Sequence, residues 1–450
     1  MTAADPADAR AASETLAAAA DFEAKRRAAI TLMRFLSQLG HALLSSGDTV
    51  AFVEDKLRCV AAAQGAENVN VVALPTVLFV KFDDGDESRR DFTSEEGLML
   101  RFDQIDALYV LTDEAQARRV TPEEGLARLQ EILRRPPVYS AWWGVIGHVL
   151  VTVGLALVLQ PRPGTVVVAA IFGLLVGVLK VIARGRGLFE TLLPSLAAFL
   201  VASISLLAVK HGIGFGTISV LIASLVTFLP GGQLAIAITE LAYGDVVSGA
   251  SRFVTGLVKL IFLALGMLVA TSLVGLPADK LLGAPAFERL GAWAPWLGVA
   301  LFAVGHALHF SVPLAKLPWL LAVVIVAQLG QTAGGAAFGG YMGGFCGALA
   351  MTPVAYFLQY RLDGPPAIVT FSPGLWLLVP GSLGLIGLTE FAADDRLAGI
   401  DNFVTTVFTI TAIALGSMLG LGLYNALFDP ILVRAGALAQ SVVKRGGFWR

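Results

Sequence analysis

Two cysteines in 450 residues, Cys59 and Cys346, lie too far apart in the chain to imply a disulfide framework or a metal knuckle. Charge is scarce too: 15% of residues are Asp, Glu, Lys or Arg, against about 25% in a soluble domain. The formal net charge is −2 and no block of one sign exceeds a few residues, which argues against a nucleic-acid partner. No H-E-x-x-H or similar ligand spacing occurs, so no metal or other cofactor is called for. The first twenty residues are acidic and Ala-rich, with no basic region leading into an apolar core. The expectation is therefore no secretory signal and a cytoplasmic amino-terminal domain.

What is abundant is apolar sequence. Hydrophobic residues make up 56% of the chain and mean hydropathy is +0.75, which places it in the membrane class. Of the 66 acidic and basic residues, 39 fall within the first 138 positions. The expected fold is a polytopic α-helical membrane protein preceded by a small soluble α/β domain. Its parts are a disordered tail (1–21), the soluble domain (22–138), a five-span repeat (139–275), a loop (276–291), a second five-span repeat (292–430) and a carboxy-terminal tail (431–450).

In the soluble part, Ile30, Met33, Leu36, Leu39 and Leu43 form one helical stripe. Asp48 or Thr49 caps a second helix through Val53, Leu57 and Val60. Two strand-like runs, 69–74 and 76–82, lead to an acidic turn at Asp83, Asp84, Gly85 and Asp86, with a weaker third strand after it. Helices are expected over 103–118 and 122–135, the latter opened by Thr121-Pro122-Glu123-Glu124. Asp83, Asp84, Asp86 and Glu87 lack the spacing of a Ca²⁺ loop and read as a solvated turn.

A crossing needs about 20 apolar residues. Spans are expected near 140–160, 165–184, 188–209, 213–229, 252–275, 293–312, 315–331, 335–359, 366–379 and 403–425. Trp142, Trp143, Trp293, Trp296 and Trp376 fall at or near span ends, where interfacial aromatics belong. With the first domain inside, Arg134, Arg135, Arg184, Arg186, Lys316, Arg361 and the tail basics lie on the cytoplasmic side. Arg162, Lys210, Lys280 and Arg289 lie opposite, a modest positive-inside bias. Gly335, Gly339, Gly343 and Gly347, with Gly340 and Gly344, are expected to form small-residue packing rows along the eighth span.

Residues 230–255 (PGGQLAIAITELAYGDVVSGASRFVT) recur without a gap at 380–405 (PGSLGLIGLTEFAADDRLAGIDNFVT). Five expected spans separate the copies, and an odd number means that they enter the membrane from opposite sides. Inverted-topology repeats with broken helices are a transporter signature. Pro230 with Gly231 and Gly232, and Pro380 with Gly381 and Ser382, interrupt the helix in each copy, because Pro lacks the N–H and Gly is costly in a helix interior. The segment beyond each break, 233–243 and 383–393, is about 16 Å of helix and too short to cross.

Those half-helices carry Thr239-Glu240 and Thr389-Glu390. A carboxyl at membrane depth is costly and suggests function; here it could carry a proton, with the neighbouring hydroxyls serving a small polar substrate. The competing interpretation is two interfacial helices with solvated side chains. Asp245 and Asp395 read as helix-end or loop residues, with Arg252 a partner for Asp245. His306 and His309, at i and i+3, suggest a proton relay or simply packed histidines. His148, Lys180 and Lys259 could snorkel or pair with a carboxylate.

Several segments resemble the threonine/serine exporter family: GDTVAFVEDKL, VNVVALPTVLFVKF, a PP-x-Y before the first span, PGGQLAIAITELAYGDVVSGASRF and, in the second half, LVPGSLGLIGL. The resemblance runs from about residue 22 to 430. It implies a bacterial inner-membrane carrier that exports small hydroxy amino acids using the proton motive force. Pro230, Gly231, Asp245, Ser248, Gly249 and Arg252 match the family motif. In the second copy Ala398 and Asn402 replace Ser248 and Arg252, so only Pro380-Gly381 carries over. The implied partners are threonine or serine, protons and the lipid bilayer, and a homo-oligomer is compatible with the sequence. A dicarboxylate exporter on the same scaffold, a passive channel and an intramembrane enzyme built on His306 and His309 are the alternatives.

Overall fold

The computed structural model describes residues 6–66, 69–83, 88–94, 99–159, 163–213, 217–277, 279–282, 290–339, 341–378, 380–392 and 396–428. It divides into two compact units, 1–100 with 104–136, and 101–103 with 137–450.

In the first unit, α1 (Pro6–Ser45) and α2 (Val50–Ala63) precede strands β1 (Val69–Leu74), β2 (Val77–Asp83) and β3 (Ser88–Ser94), followed by α3 (Phe102–Gln116) and α4 (Pro122–Arg134). The helix begins well inside the expected tail. That stretch is rich in alanine, the strongest helix former, so propensity carries the helix outward. The buried stripe on α1 is Leu32, Phe35, Leu36, Leu39 and Leu43, with Ile30 left exposed. Thr49 caps α2 by accepting from the Phe52 amide, and Thr121 caps α4 by accepting from Glu124. Asp48 instead accepts from Ser46 Oγ at 2.5 Å and Tyr109 Oη at 2.7 Å. The strands form an antiparallel sheet in the order β1-β2-β3, with Val69 opposite Phe82 and Phe79 opposite Phe92. Alternation sets its faces: Val71, Ala73, Leu78 and Val80 are buried while Val72 and Phe79 are exposed. Of the acidic turn, Asp84, Gly85, Asp86 and Glu87 lie outside the described residues.

The second unit holds α5 (Ala141–Val158), α6 (Pro163–Ala183), α7 (Gly187–Lys210), α8 (Thr217–Leu225), α9 (Gly231–Tyr243), α10 (Val246–Val274) and the short α11 (Asp279–Leu282). It continues with α12 (Ala294–His309), α13 (Leu317–Phe338), α14 (Met342–Arg361), α15 (Ala367–Leu377), α16 (Pro380–Ala392) and α17 (Arg396–Phe428). Among the described residues six helices, α5, α6, α7, α10, α13 and α17, are long and apolar enough to cross a membrane. A seventh crossing is available if residues 218–228 and α9, bent by 61° at the Pro230 break, count as one span. Against ten expected spans, α12 and α15 are apolar but only 16 and 11 residues long, and α14 is long enough but insufficiently apolar.

The glycine rows are also redistributed. Gly335 belongs to α13, Gly339 adopts φ +70° in the turn, and only Gly343, Gly344 and Gly347 fall on α14. A methyl added at Gly343 or Gly347 would meet Gln331 O at 2.9 Å or Ala327 O at 3.0 Å, so these two seat α14 on α13, while Gly344 faces Ile413 of α17. Gly340 lies outside the described residues.

Other helix crossings depend on glycine too. Gly147 and Gly154 of α5 face α12: a methyl at Gly147 would meet Gly305 O at 2.7 Å, and one at Gly154 would meet Phe302 N at 2.5 Å. In return, a methyl at Gly298 would meet Gly154 O and one at Gly305 would meet Val151 N, both at 2.5 Å. The low-numbered glycine of each helix meets the high-numbered one of the other, so α5 and α12 run antiparallel. Elsewhere Gly266 of α10 sits against the Ser195 backbone of α7, and Gly416 of α17 against the Phe345 backbone of α14. Both members of that second contact lie 150 positions beyond the first.

Candidate functional site

Each copy of the Pro-Gly segment folds as a half-helix packed on the long helix that follows it. Pro230 takes the N-cap position of α9 after a 3₁₀ turn at Val226–Phe228, and no side chain caps the opening amides. Pro380 is the first residue of α16, a position where its missing N–H costs nothing. Gly244, with φ +93°, ends α9, and its amide and that of Asp245 return to Leu241 O and Glu240 O. Asp245 is the residue before α10, Ser248 is buried in its first turn, and Asp395 lies outside the described residues.

The carboxylates are held in parallel fashion, with one difference. Glu240 is fully buried in the last turn of α9, a position where the helix dipole disfavours negative charge. Arg252 reaches back from α10 to compensate, Nε lying 3.1 Å from Oε2, with the Arg side chain 13% exposed. This ion pair replaces the expected pairing with Asp245, because the α9–α10 turn brings position 252 alongside position 240. In the second copy Glu390 is part-buried in the last turn of α16, and Asn402 Nδ2 donates to its Oε2 at 2.5 Å. Asn402 therefore occupies the structural place of Arg252 as a neutral donor.

The threonine hydroxyls turn inward. Thr239 Oγ1 donates to Ala235 O at 3.0 Å and Thr389 Oγ1 to Leu385 O at 2.7 Å, the i−4 carbonyl in both cases. Gly249 is a packing position: a methyl there would meet Ala237 O at 2.8 Å. The equivalent approach in the second copy is carried by Gly387, where a methyl would meet Gly399 O at 3.0 Å. The two hairpins also pack on each other, α9 against α17 and α16 against α10, and α9 touches α16 and α15.

A second polar cluster lies beside the first break. Lys180 Nζ, on α6, donates to Thr227 Oγ1 at 2.6 Å, sits 3.1 Å from His309 Nε2 and lies 4.9 Å from the Phe228 ring centre. His309 Nδ1 is 2.8 Å from Gly144 O, so one tautomer, Nδ1–H donating and Nε2 accepting, satisfies both contacts. The His148 ring is 5.1 Å from His309. His306 faces elsewhere, among Phe302, Phe310 and Trp376, with both ring nitrogens buried and unbonded. Of the expected interfacial tryptophans, Trp142, Trp143, Trp293 and Trp296 are exposed, whereas Trp376 turns inward, beside His306 and Gly232. Pattern reading had no signal for Trp376, since its neighbours come from helices far apart in sequence. The glycines of α5 and α12 were visible, as pairs seven residues apart recurring at an offset of 151.

No curated protein and no solved structure matches the chain. The ThrE family, described as a threonine/serine exporter, matches over residues 34–274, from within α1 to the end of α10. The match takes in more than half of the chain and includes the first Pro-Gly hairpin with its Glu240–Arg252 pair, and the protein belongs to the threonine/serine exporter family.

Proposed function

We propose that the protein is a secondary active transporter exporting threonine or serine by proton antiport across a bacterial inner membrane. Its amino-terminal domain (22–138) lies in the cytoplasm, and two inverted five-span repeats (139–275 and 292–430) provide ten crossing segments. The observation that carries this is the repeated hairpin, in which a Pro-broken half-helix bears a carboxylate met by the residue twelve positions on. Support for inversion comes from α5 and α12, whose glycines interchange at an offset of 151 while the helices run antiparallel. Such repeats place their sites where broken helices meet, and here α9 packs against α16.

The two carboxylates divide the work unequally. Protonating Glu240 would strand Arg252 without its counter-charge in a buried setting, which is strongly unfavourable. Protonating Glu390 leaves only a neutral pair with Asn402. Glu390 is therefore the proton-exchanging group and Glu240 the fixed one. Proton and substrate would exclude one another, so occupancy of one lowers affinity for the other. Export from threonine-loaded proteoliposomes under a pH gradient tests this. Glu390→Gln should remove the dependence on the gradient while leaving exchange of labelled for unlabelled threonine. Gradient-driven export that survives Glu390→Gln would overturn the coupling proposal.

A dicarboxylate exporter is the second reading, favoured by the cations at Lys180 and Arg252. A panel of labelled amino acids and diacids separates the two.

A further inference from the structure

The cluster at Lys180 has no part in the coupling just described. Lys180 sits in the last turn of α6 among apolar helices, and among the described residues it forms no ion pair. Its neighbours are a hydroxyl, an imidazole nitrogen and a ring face. Holding an ammonium at such a place without an anion is costly, so a lysine there calls for a functional account. The position also matters. Thr227, its closest partner, is three residues before Pro230, so the ammonium is tied to the end of the broken helix. Just beyond are the uncapped amides that open α9, which favour negative charge. Trp376 lies beside Gly232, in the first turn of α9, and against the buried, unbonded His306. A lysine amine, a hydroxyl and a helix start thus gather around one break, and among the described residues no carboxylate answers them.

We propose that Lys180, with Thr227 and His309, is the subsite that receives the carboxylate of the transported molecule. This rests on the exporter reading and deepens it by naming the group that the first repeat recognises. An incoming carboxylate would take up Lys180 hydrogens now spent on Thr227 and His309, a charge-assisted contact stronger than either. The asymmetry between the copies agrees with a single substrate: Gly330 and Gln331 stand 150 and 151 positions after Lys180, so the second half has no counterpart cation.

A purely structural lysine, one that only ties α6 to the 3₁₀ turn, would have a different signature, and a ligand-by-variant cycle distinguishes the two. Binding of L-threonine and of L-threoninol, in which CH₂OH replaces the carboxylate, is measured calorimetrically on the purified full-length chain and on Lys180→Gln and Lys180→Arg. If Lys180 holds the carboxylate, Lys180→Gln weakens threonine by about tenfold or more and threoninol by less than about twofold. Lys180→Arg keeps threonine within about threefold, since the charge remains. Retained threoninol binding doubles as the folding control. Should Lys180→Gln be polydisperse, Thr227→Val is put through the same comparison, with the same selective loss expected. Equal weakening of both ligands, or weakening of neither, overturns the assignment. If the wild-type chain binds no hydroxy amino acid, the exporter reading fails, and the cycle is repeated with succinate against 1,4-butanediol. Selective loss of succinate then upholds Lys180 as a carboxylate site for diacids, and its absence removes that too.

Discussion

Replacing Arg252 by methionine would leave Glu240 fully buried with its counter-charge gone. The hydrophobic stem is largely kept, so the change reports on charge rather than on volume. Breaking a buried pair from one side costs about 3–5 kcal/mol, and the slight exposure of Arg252 argues for the lower end, about 3 kcal/mol. Removing both partners, in Glu240→Leu with Arg252→Met, should return stability to within about 1 kcal/mol of the parent, because an apolar pair needs no compensation. The coupling between the two sites is then at least about 2 kcal/mol, well above the scatter of additive mutations. Extending the size dependence of unfolding to this chain gives about 1–2 °C per kcal/mol, hence a fall of about 3–6 °C for Arg252→Met and near-recovery in the double variant. The assay is thermal unfolding of purified protein at one fixed heating rate, since irreversible unfolding makes the midpoint rate-dependent. If the effects of Glu240→Leu and Arg252→Met simply add, the two side chains do not act as a pair. The division of labour between Glu240 and Glu390 would fall with it.

Two further outcomes follow from the packing and the repeat. Gly154→Ala and Gly305→Ala each place a methyl 2.5 Å from backbone of the facing helix, so both should destabilise by about 1–3 kcal/mol, whereas Gly335→Ala, with nothing within 4 Å, should be neutral or slightly stabilising in the same melts. In a background lacking Cys59 and Cys346, Val247→Cys and Leu397→Cys, exposed and 150 positions apart, should be labelled by an impermeant thiol reagent from opposite faces of the membrane; labelling from the same face would refute the inverted arrangement.

Much of the architecture was legible because it depends on local rules. Alternating side chains marked the sheet, Asp48 or Thr49 and Thr121 marked helix starts, with Thr49 the cap in the structure, and Pro230 and Pro380 marked breaks because a missing N–H acts wherever it falls. What was not legible depends on partners supplied from a distance. The rows at Gly335–Gly347 suggested one helix because four-residue spacing carries no information about a turn. The left-handed conformation at Gly339 then divides them between α13 and α14. Trp376 looked interfacial by position along its helix, yet its ring meets His306 and Phe310 from α12 and its vicinity.

The pairing of Arg252 shows where the boundary lies within the site itself. Alignment of the repeats puts Asn402 opposite Arg252, a departure that leaves only Pro380-Gly381 matching the family motif in the second copy. The structure turns that difference into information, because both residues do the same job: each reaches back from a long helix to the carboxylate in the last turn of the half-helix before it. Evolution of a single repeat into two allows the copies to keep one geometry and change one charge. A carboxylate met by guanidinium is fixed in its charge by the cost of stranding the cation, and one met by an amide is free to change. Under the proposed antiport, that asymmetry would assign the proton to the second copy, with Glu390 at its centre, while the proposed carboxylate subsite at Lys180 would give the substrate to the first.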